Sequence, residues 1–427
     1  MHHANQGGGS RSVSRFLLTW ELGLNLGHLA RVLPVASRLR ARGHSVLVAA
    51  REVPAAASWL GPASLPFVQA PHLPQGLSLP ERASGYADLL LSEGWSDPQI
   101  LWGLVQSWHS VLRLFRPDVV VTDHSPTARL ATRIAAIPTV TMGNGFELPP
   151  DTDPLPPFPG FAWATKEKAA ASERIAVHHA NQVLKRFQQP ELRSLSELFK
   201  EATALYLTFP ELDPYGVRPT ADYVGPILAS PATAKVDWPQ GSSHIFACLR
   251  PDTANVEAIL EALKASEAAV LAFTPGSIPQ PWKRYEGGRM RLTTRLMDLR
   301  RLAPETDACV SYGAEGTGAT FLLAGVPQLL SPRQAEAHMA ARQIEALGVG
   351  VVLRGVKTAQ SVKDSLLRVC QPAFKQRAVE FARGRRDYHP DRVADHIADR
   401  LEAALIGRQL DESFRHALPM QAIPHSS

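Results

Sequence analysis

Two sets of residues in this 427-residue chain have types and spacings that suit chemistry. His28 stands at the end of TWELGLNLGH, between an apolar run (FLLTW, 16–20) and a run that suits a helix. The positive end of a helix dipole disfavours imidazolium, so a histidine there stays neutral and able to accept a proton. Asp123 closes a second apolar run, DVVVTD (118–123). A carboxylate beside the imidazole would fix its tautomer and stabilise the charge formed when it takes a proton. A structural histidine in a strand-to-helix turn is the alternative reading of the same residues.

The second set lies in DACVSYGAEGTGATFLLAGVP (307–327). An apolar strand from Ala308 to Ser311 leads to Gly313, Gly316 and Gly318 and then into a run that suits a helix, Ala319 to Ala324. Small residues admit a ligand close to the backbone, and free N–H groups at a helix start attract phosphate. The pattern therefore suits a diphosphate cradle, although glycine-rich turns also serve packing alone.

Other constellations are weaker. Asp151-Thr152-Asp153 has the look of an acidic metal-binding triplet, but it sits in a proline-rich loop (149–163), and no metal site is expected from it. His2-His3 and His178-His179 are adjacent pairs, which cannot face one way on a helix and read as solvated. Cys248, Cys309 and Cys370 are widely spaced without a CxxC pair, which argues against a zinc site or disulfide framework and for a reducing compartment.

These residues need a scaffold that alternates strands and helices. FLLTW, SVLVAA (45–50), PFVQA (66–70), DVVVTD, PTVTM (138–142) and LYLTF (205–209) read as strands, with a helical period from His28 to Arg42 that Gly43 ends. A second series follows: HIFACLR (244–250), AAVLAF (268–273), MRLTT (290–294), DACVSY (307–312), VPQLL (326–330) and GVGVVL (348–353). The alternation predicts α/β architecture with two doubly wound parallel sheets. Predicted domains span 13–228 and 241–383, with DYVGPILASPATAKVDWPQGSS (222–243) as linker and a terminal helix over 384–410 that can pack back on the first domain. The last fifteen or so residues read as loosely held. Trp95, Trp102 and Trp108 lie in what looks like an insertion, where they either wall an apolar pocket or pack on the scaffold.

Composition narrows the partners. With 45% hydrophobic and 20% charged residues the chain reads as globular and soluble. A net charge of +5 favours an anionic partner, a nucleotide or a lipid surface. Basic residues are not clustered with aromatics, which argues against nucleic acid. The polar start MHHANQGGGSRSVSR has no signal-peptide core, and no stretch is long enough to span a bilayer. The expectation is a cytoplasmic protein, with contact at the inner face of the membrane left open.

Read together, GHLARVLPVASRLRARGHSVLVAA, LYLTFPELDPY with YVGPIL, and SYGAEGTGATFLLAGVPQLLSP with GVGVV resemble the UDP-glycosyltransferase superfamily, in the expected order from about Phe16 to Leu353. The resemblance implies a GT-B fold: two Rossmann-like domains facing across a cleft, the first for the acceptor and the second for a nucleotide sugar. It implies inverting transfer without a metal ion, with His28 as general base, Asp123 orienting it, and Gly27 in the active-site turn. Gly316 and Thr317 match the diphosphate-binding residues, with Tyr312, Gly313, Glu315 and Gly318 around them, and the implied co-substrate is a UDP-sugar, with no other cofactor.

The chain departs from the family's pattern at the donor. Tyr312 replaces a histidine that touches the diphosphate, Thr320 replaces the acid that binds the ribose, and Glu336-Ala337 replaces the Asp-Gln pair that grips the sugar. The uracil-stacking tryptophan has no match near Leu296, and Arg250 or Arg333 is a candidate for the missing positive charge. The leading expectation is sugar transfer to a hydroxyl of an apolar small molecule or lipid. A non-catalytic GT-B subunit that activates a partner enzyme, and a sugar-nucleotide epimerase, are the alternatives.

Overall fold

A computed structural model describes residues 13–23, 26–77, 82–200, 203–228 and 237–409, with side chains up to residue 405. The chain's start with His2-His3, and its last residues, lie outside the described residues.

The first half builds a seven-stranded sheet of order β3-β2-β1-β4-β5-β6-β7. Its strands are β1 (Arg15–Trp20), β2 (Ser45–Ala50), β3 (Phe67–Gln69), β4 (Val119–Asp123), β5 (Thr139–Gly143), β6 (Thr203–Tyr206) and β7 (Asp222–Tyr223). Every pairing is parallel. β1 and β4 are almost wholly buried, as near-continuous apolar strands covered on both faces must be. Helix α1 (Gly27–Ala41) follows β1, buries Leu29, Val32, Val35, Ala36 and Leu39 on one face, and is ended by Gly43 at φ +91°.

The second half repeats the plan with six parallel strands in the order β10-β9-β8-β11-β12-β13. These are β8 (His244–Cys248), β9 (Ala269–Phe273), β10 (Met290–Thr293), β11 (Ala308–Ser311), β12 (Gln328–Leu330) and β13 (Gly350–Val352). The expected strands are all present, shifted by one to three residues at their ends. The linker reading needs correction at its start. Asp222 and Tyr223 pair with β6, and Ile227 and Leu228 are buried, because apolar side chains in this stretch have a core to enter.

The two halves are held together by shared core and by the terminal helix. Phe209, Leu212 and Leu228 of the first half pack with Leu322, Ile344 and Phe381 of the second. Helix Pro390–Gln409 returns to the first half, where Val393, Ala394, Ile397, Ala398 and Leu401 join the cluster formed by α1, β1 and β2. Arg42 reaches Asp399 at 2.7 Å and Glu402 at 3.1 Å beside that seam. Exposed pairs of this kind contribute little, so the apolar face carries the docking. Leu401→Ala is expected to lower stability by about 2–4 kcal/mol, read as a lower urea midpoint with little change in slope.

The tryptophan-bearing insertion packs rather than lining a pocket. Trp95 and Trp108 are fully buried in the cluster on one face of the first sheet, and Trp95 donates to the Thr127 hydroxyl at 3.0 Å. Trp102 is half-buried against Phe187. An indole is large enough to anchor an insertion on its own scaffold, and here that use wins.

Candidate active site

Parallel sheets gather ligands outside the carboxyl ends of their strands, where neighbouring strands connect in opposite directions. In the first sheet that point lies between β1 and β4, where Trp20 and Asp123 are register partners. His28 sits in the first turn of α1, and its Nδ1 lies 3.1 Å from Asp123 Oδ1, with both side chains buried. The imidazole stacks on Trp20 at 5.3 Å between centroids. Gly23 closes over the ring: a Cβ there would stand 2.5 Å from His28 Nε2, and φ is +84°. Only glycine fits that approach without moving the imidazole. Gly27 faces open space at the start of α1.

The sequence reading missed the groups that surround this pair. Arg31 lies one helical turn beyond His28, and one guanidinium nitrogen bonds both Asp123 Oδ1 at 3.1 Å and Glu147 Oε1 at 2.7 Å. Its other terminal nitrogen stands 3.4 Å from Glu315 Oε2 in the second half. Burial works against the charge of Arg31, yet Glu147, Asp123 and Glu315 outweigh it and hold its pKa well above the ordinary value. Glu147 is likewise opposed by burial, and Arg31 pulls it well below the usual carboxylate range. Asn144 donates to Glu336 Oε1 at 2.9 Å, a second link between the halves. His124 follows Asp123 at φ +47°, and burial pushes it down to about 4, so its imidazole is neutral near pH 7. The helical spacing of Arg31 from His28 was the one available signal; Glu147 and Asn144 carried none.

The second sheet presents its own crossing point between β8 and β11, where Cys248 and Ser311 are register partners. Gly313 turns the chain at φ +87°, and helix Glu315–Leu323 begins directly after it without a side-chain cap on its first N–H groups. A Cβ on Gly316 would meet open space, and Gly316 is exposed while Thr317 is half-buried beside it. Burial holds the Tyr312 phenol above its ordinary value, so it keeps its proton and can donate. Arg250 pairs with Asp252 at 3.3 Å, as does Arg333 at 3.6 Å.

The remaining donor candidates divide. Thr320 lines the cleft, but its hydroxyl donates to the Gly316 carbonyl at 2.7 Å. Gly318 needs correction: it faces inward, with a Cβ position 3.1 Å from Ile344 Cδ1, and its carbonyl accepts from Gln328. A glycine one turn into a helix looks toward the sheet rather than toward the ligand, so its use is packing. Glu315 points at Arg31 with one oxygen lacking a hydrogen-bond partner, and burial pushes it up to about 7. Burial, followed by repulsion from Glu147, also raises Glu336.

Both sets border one cleft of about 520 Å³, lined from the first half by Gly27, His28 and Arg31 and from the second by Arg250, Tyr312, Gly313, Glu315, Gly316, Thr317 and Glu336. Its remaining walls include Trp59, Phe246, Phe273, Leu296 and Met297, an apolar lining with a few convergent polar groups.

Ligand atoms of His28, Asp123 and Glu147 lie within 4.8 Å of one another, a geometry that could hold a cation. Arg31 already bonds both carboxylates, so the positive charge there is built in. Asp151 of the acidic triplet pairs with Lys200 at 2.9 Å on the surface. His178 is exposed as expected, whereas His179 is half-buried with Nδ1 2.8 Å from the Trp95 carbonyl. Among the described residues no helix is long and apolar enough to cross a membrane.

Comparison with known proteins follows the same outline. Residues 287–402 match the family described as erythromycin biosynthesis protein CIII-like, C-terminal domain. The chain is 31% identical to aclacinomycin-T 2-deoxy-L-fucose transferase of Streptomyces galilaeus over 31% of its own length and 30% of that protein's. It is 25% identical to a PGL/p-HBAD biosynthesis glycosyltransferase of Mycobacterium tuberculosis over 64% of its own length and 68% of that protein's. The first of these alignments therefore spans under a third of the relative. The crystal structure of glycosyltransferase VinC in complex with dTDP is similar in fold, with a TM-score of 0.62 at 16% identity, covering 91% of this chain and 99% of that one.

Proposed function

We propose that the chain, which has the GT-B fold, is an inverting, metal-independent glycosyltransferase of the GT-B superfamily that its relatives' names point to. It moves a sugar from a nucleoside diphosphate to a hydroxyl of an apolar small molecule or lipid. The observation that carries this reading is the shared cleft, bordered by His28 from one half and by the uncapped helix start at Glu315 from the other.

In the proposed reaction His28 Nε2 takes the proton of the acceptor hydroxyl while Asp123 holds Nδ1. The acceptor oxygen attacks the anomeric carbon, and the bond to the diphosphate breaks with its electron pair going to the phosphate oxygen. A single displacement inverts the anomeric centre. Charge building on the diphosphate meets the N–H groups of Gly316 and Thr317 at the positive helix end and the Tyr312 hydroxyl, all fixed before the reaction. Glu336, joined to Asn144, is suited to the sugar hydroxyls. The cation among the carboxylates is Arg31, which supports a mechanism without a metal.

For the donor, a pyrimidine nucleoside diphosphate, UDP or dTDP, agrees with the neighbour crystallised with dTDP. Thr320 spends its hydroxyl on Gly316 and supplies no carboxylate for a ribose 2′-hydroxyl, which favours the deoxyribose of dTDP. Calorimetry should show dTDP binding roughly fivefold tighter than UDP, the cost of about one unpaired polar group. Tighter UDP binding would return the donor to a UDP-sugar. Absence of binding by either would overturn the transferase reading and favour a non-catalytic subunit.

A further inference from the structure

The proposed displacement calls for positive charge at the departing diphosphate. Tyr312 is neutral, and Arg250 beside it is shared with the exposed Asp252 at 3.3 Å. Arg300, also on the cleft, is paired with Asp391 at 2.7 Å. The remaining arginine on the cleft wall comes from the opposite half.

We infer that Arg31 is a catalytic residue that reaches across from the acceptor half to bind the donor's diphosphate, exchanging its contact with Glu315 for a phosphate oxygen. The assignment rests on the transferase reading above. Three observations carry it. Arg31 borders the cleft alongside the glycine turn. Its contacts are unequal: Glu147 at 2.7 Å and Asp123 at 3.1 Å anchor one nitrogen, while Glu315 at 3.4 Å holds the other loosely. Glu315 is itself the first residue of the helix whose start would receive the diphosphate, and one of its carboxylate oxygens has no hydrogen-bond partner.

The surrounding charges explain why the exchange is favourable. Arg31 faces Asp123 from β4, Glu147 from the loop after β5, Glu315 from the second half, and the imidazoles of His28 and His124. A diphosphate brought against Glu315 repels its carboxylate, and a group already pushed up to about 7 takes a proton at small cost. The guanidinium then turns its free edge to phosphate, for which its planar fork is suited, while the anchored nitrogen keeps Asp123 in place beside His28. Arg31 would thus supply the charge that Tyr312 lacks.

The test is calorimetric and needs no acceptor. With the full chain, Arg31→Gln should raise the Kd for dTDP and UDP about 30-fold while thymidine and uridine change by less than about twofold. Glu315→Gln should act in the opposite direction, tightening dTDP about three- to tenfold by removing the competing charge. Arg31→Lys should fall between Arg31→Gln and the wild type. Equal loss for nucleosides and nucleoside diphosphates, or unchanged diphosphate affinity, would overturn the assignment. If Arg31→Gln does not fold, Glu315→Gln decides: weaker or unchanged binding would sink the idea. Failure of the wild type to bind either diphosphate would instead count against the transferase reading.

Discussion

Turnover by His28→Ala is expected to fall by about 10²- to 10⁴-fold, with the Kd for dTDP and UDP changed by less than about twofold. The imidazole lies in the first half, held by Asp123 at 3.1 Å and stacked on Trp20, so its loss would remove the proposed base without touching the glycine turn. Transfer assayed with a panel of hydrophobic alcohols and phenols, beside calorimetry on the same preparation, separates the two effects. Equal turnover by wild type and variant would remove His28 from the role of base. Lost nucleotide affinity would mean that the ring is a structural prop for the cleft.

Glu147→Ala is expected to cost about 3–5 kcal/mol of stability, the largest loss predicted for any single substitution here. The change removes the closest partner of a buried guanidinium and the acceptor of the Asn144 N–H at 2.8 Å. The pH dependence has a definite sign. Arg31 depresses Glu147 in the folded state, so the ion pair's stabilisation is fully present above the unfolded carboxylate's value near 4.5. It is lost as pH falls through the lower folded value. Urea unfolding at pH 7 should therefore show the full gap between wild type and Glu147→Ala, and at about pH 3 a smaller one. A gap that does not narrow would mean that packing, rather than charge, is what Glu147 contributes. Glu147→Gln, which keeps an acceptor oxygen, should lose less than the alanine variant.

Much of the scaffold could be read from local pattern. Apolar runs such as DVVVTD form strands wherever both sheet faces are covered, and the period from His28 to Arg42 forms a helix because one face must be buried. The crossing points follow from that alternation, which is why His28 and Asp123 could be placed at one sheet edge before their contact was seen. Gly313 was legible for a similar reason: a positive φ selects glycine, whereas Gly316 has open space around its Cβ position and no such requirement. Gly318 misled the reading because the same residue type also serves packing, here against Ile344. The tryptophans of the insertion were ambiguous on composition, since an indole is equally suited to a pocket wall and to a core; burial of Trp95 and Trp108 resolved it.

Local pattern was enough for the two parallel α/β halves, the strand-to-helix turns that end in His28 and in Gly313–Thr317, and the resemblance to sugar transferases. Periodicity and turn chemistry act over a few residues and leave their mark in the chain. The distribution of charge across the cleft came from long-range contacts instead. Arg31 meets Glu147 from 116 positions away and Glu315 from 284, and Asn144 meets Glu336 from 192. Side chains so far apart in sequence carry no mutual signature, and their charges acquire strength only when folding removes them from water and sets them a few ångströms apart.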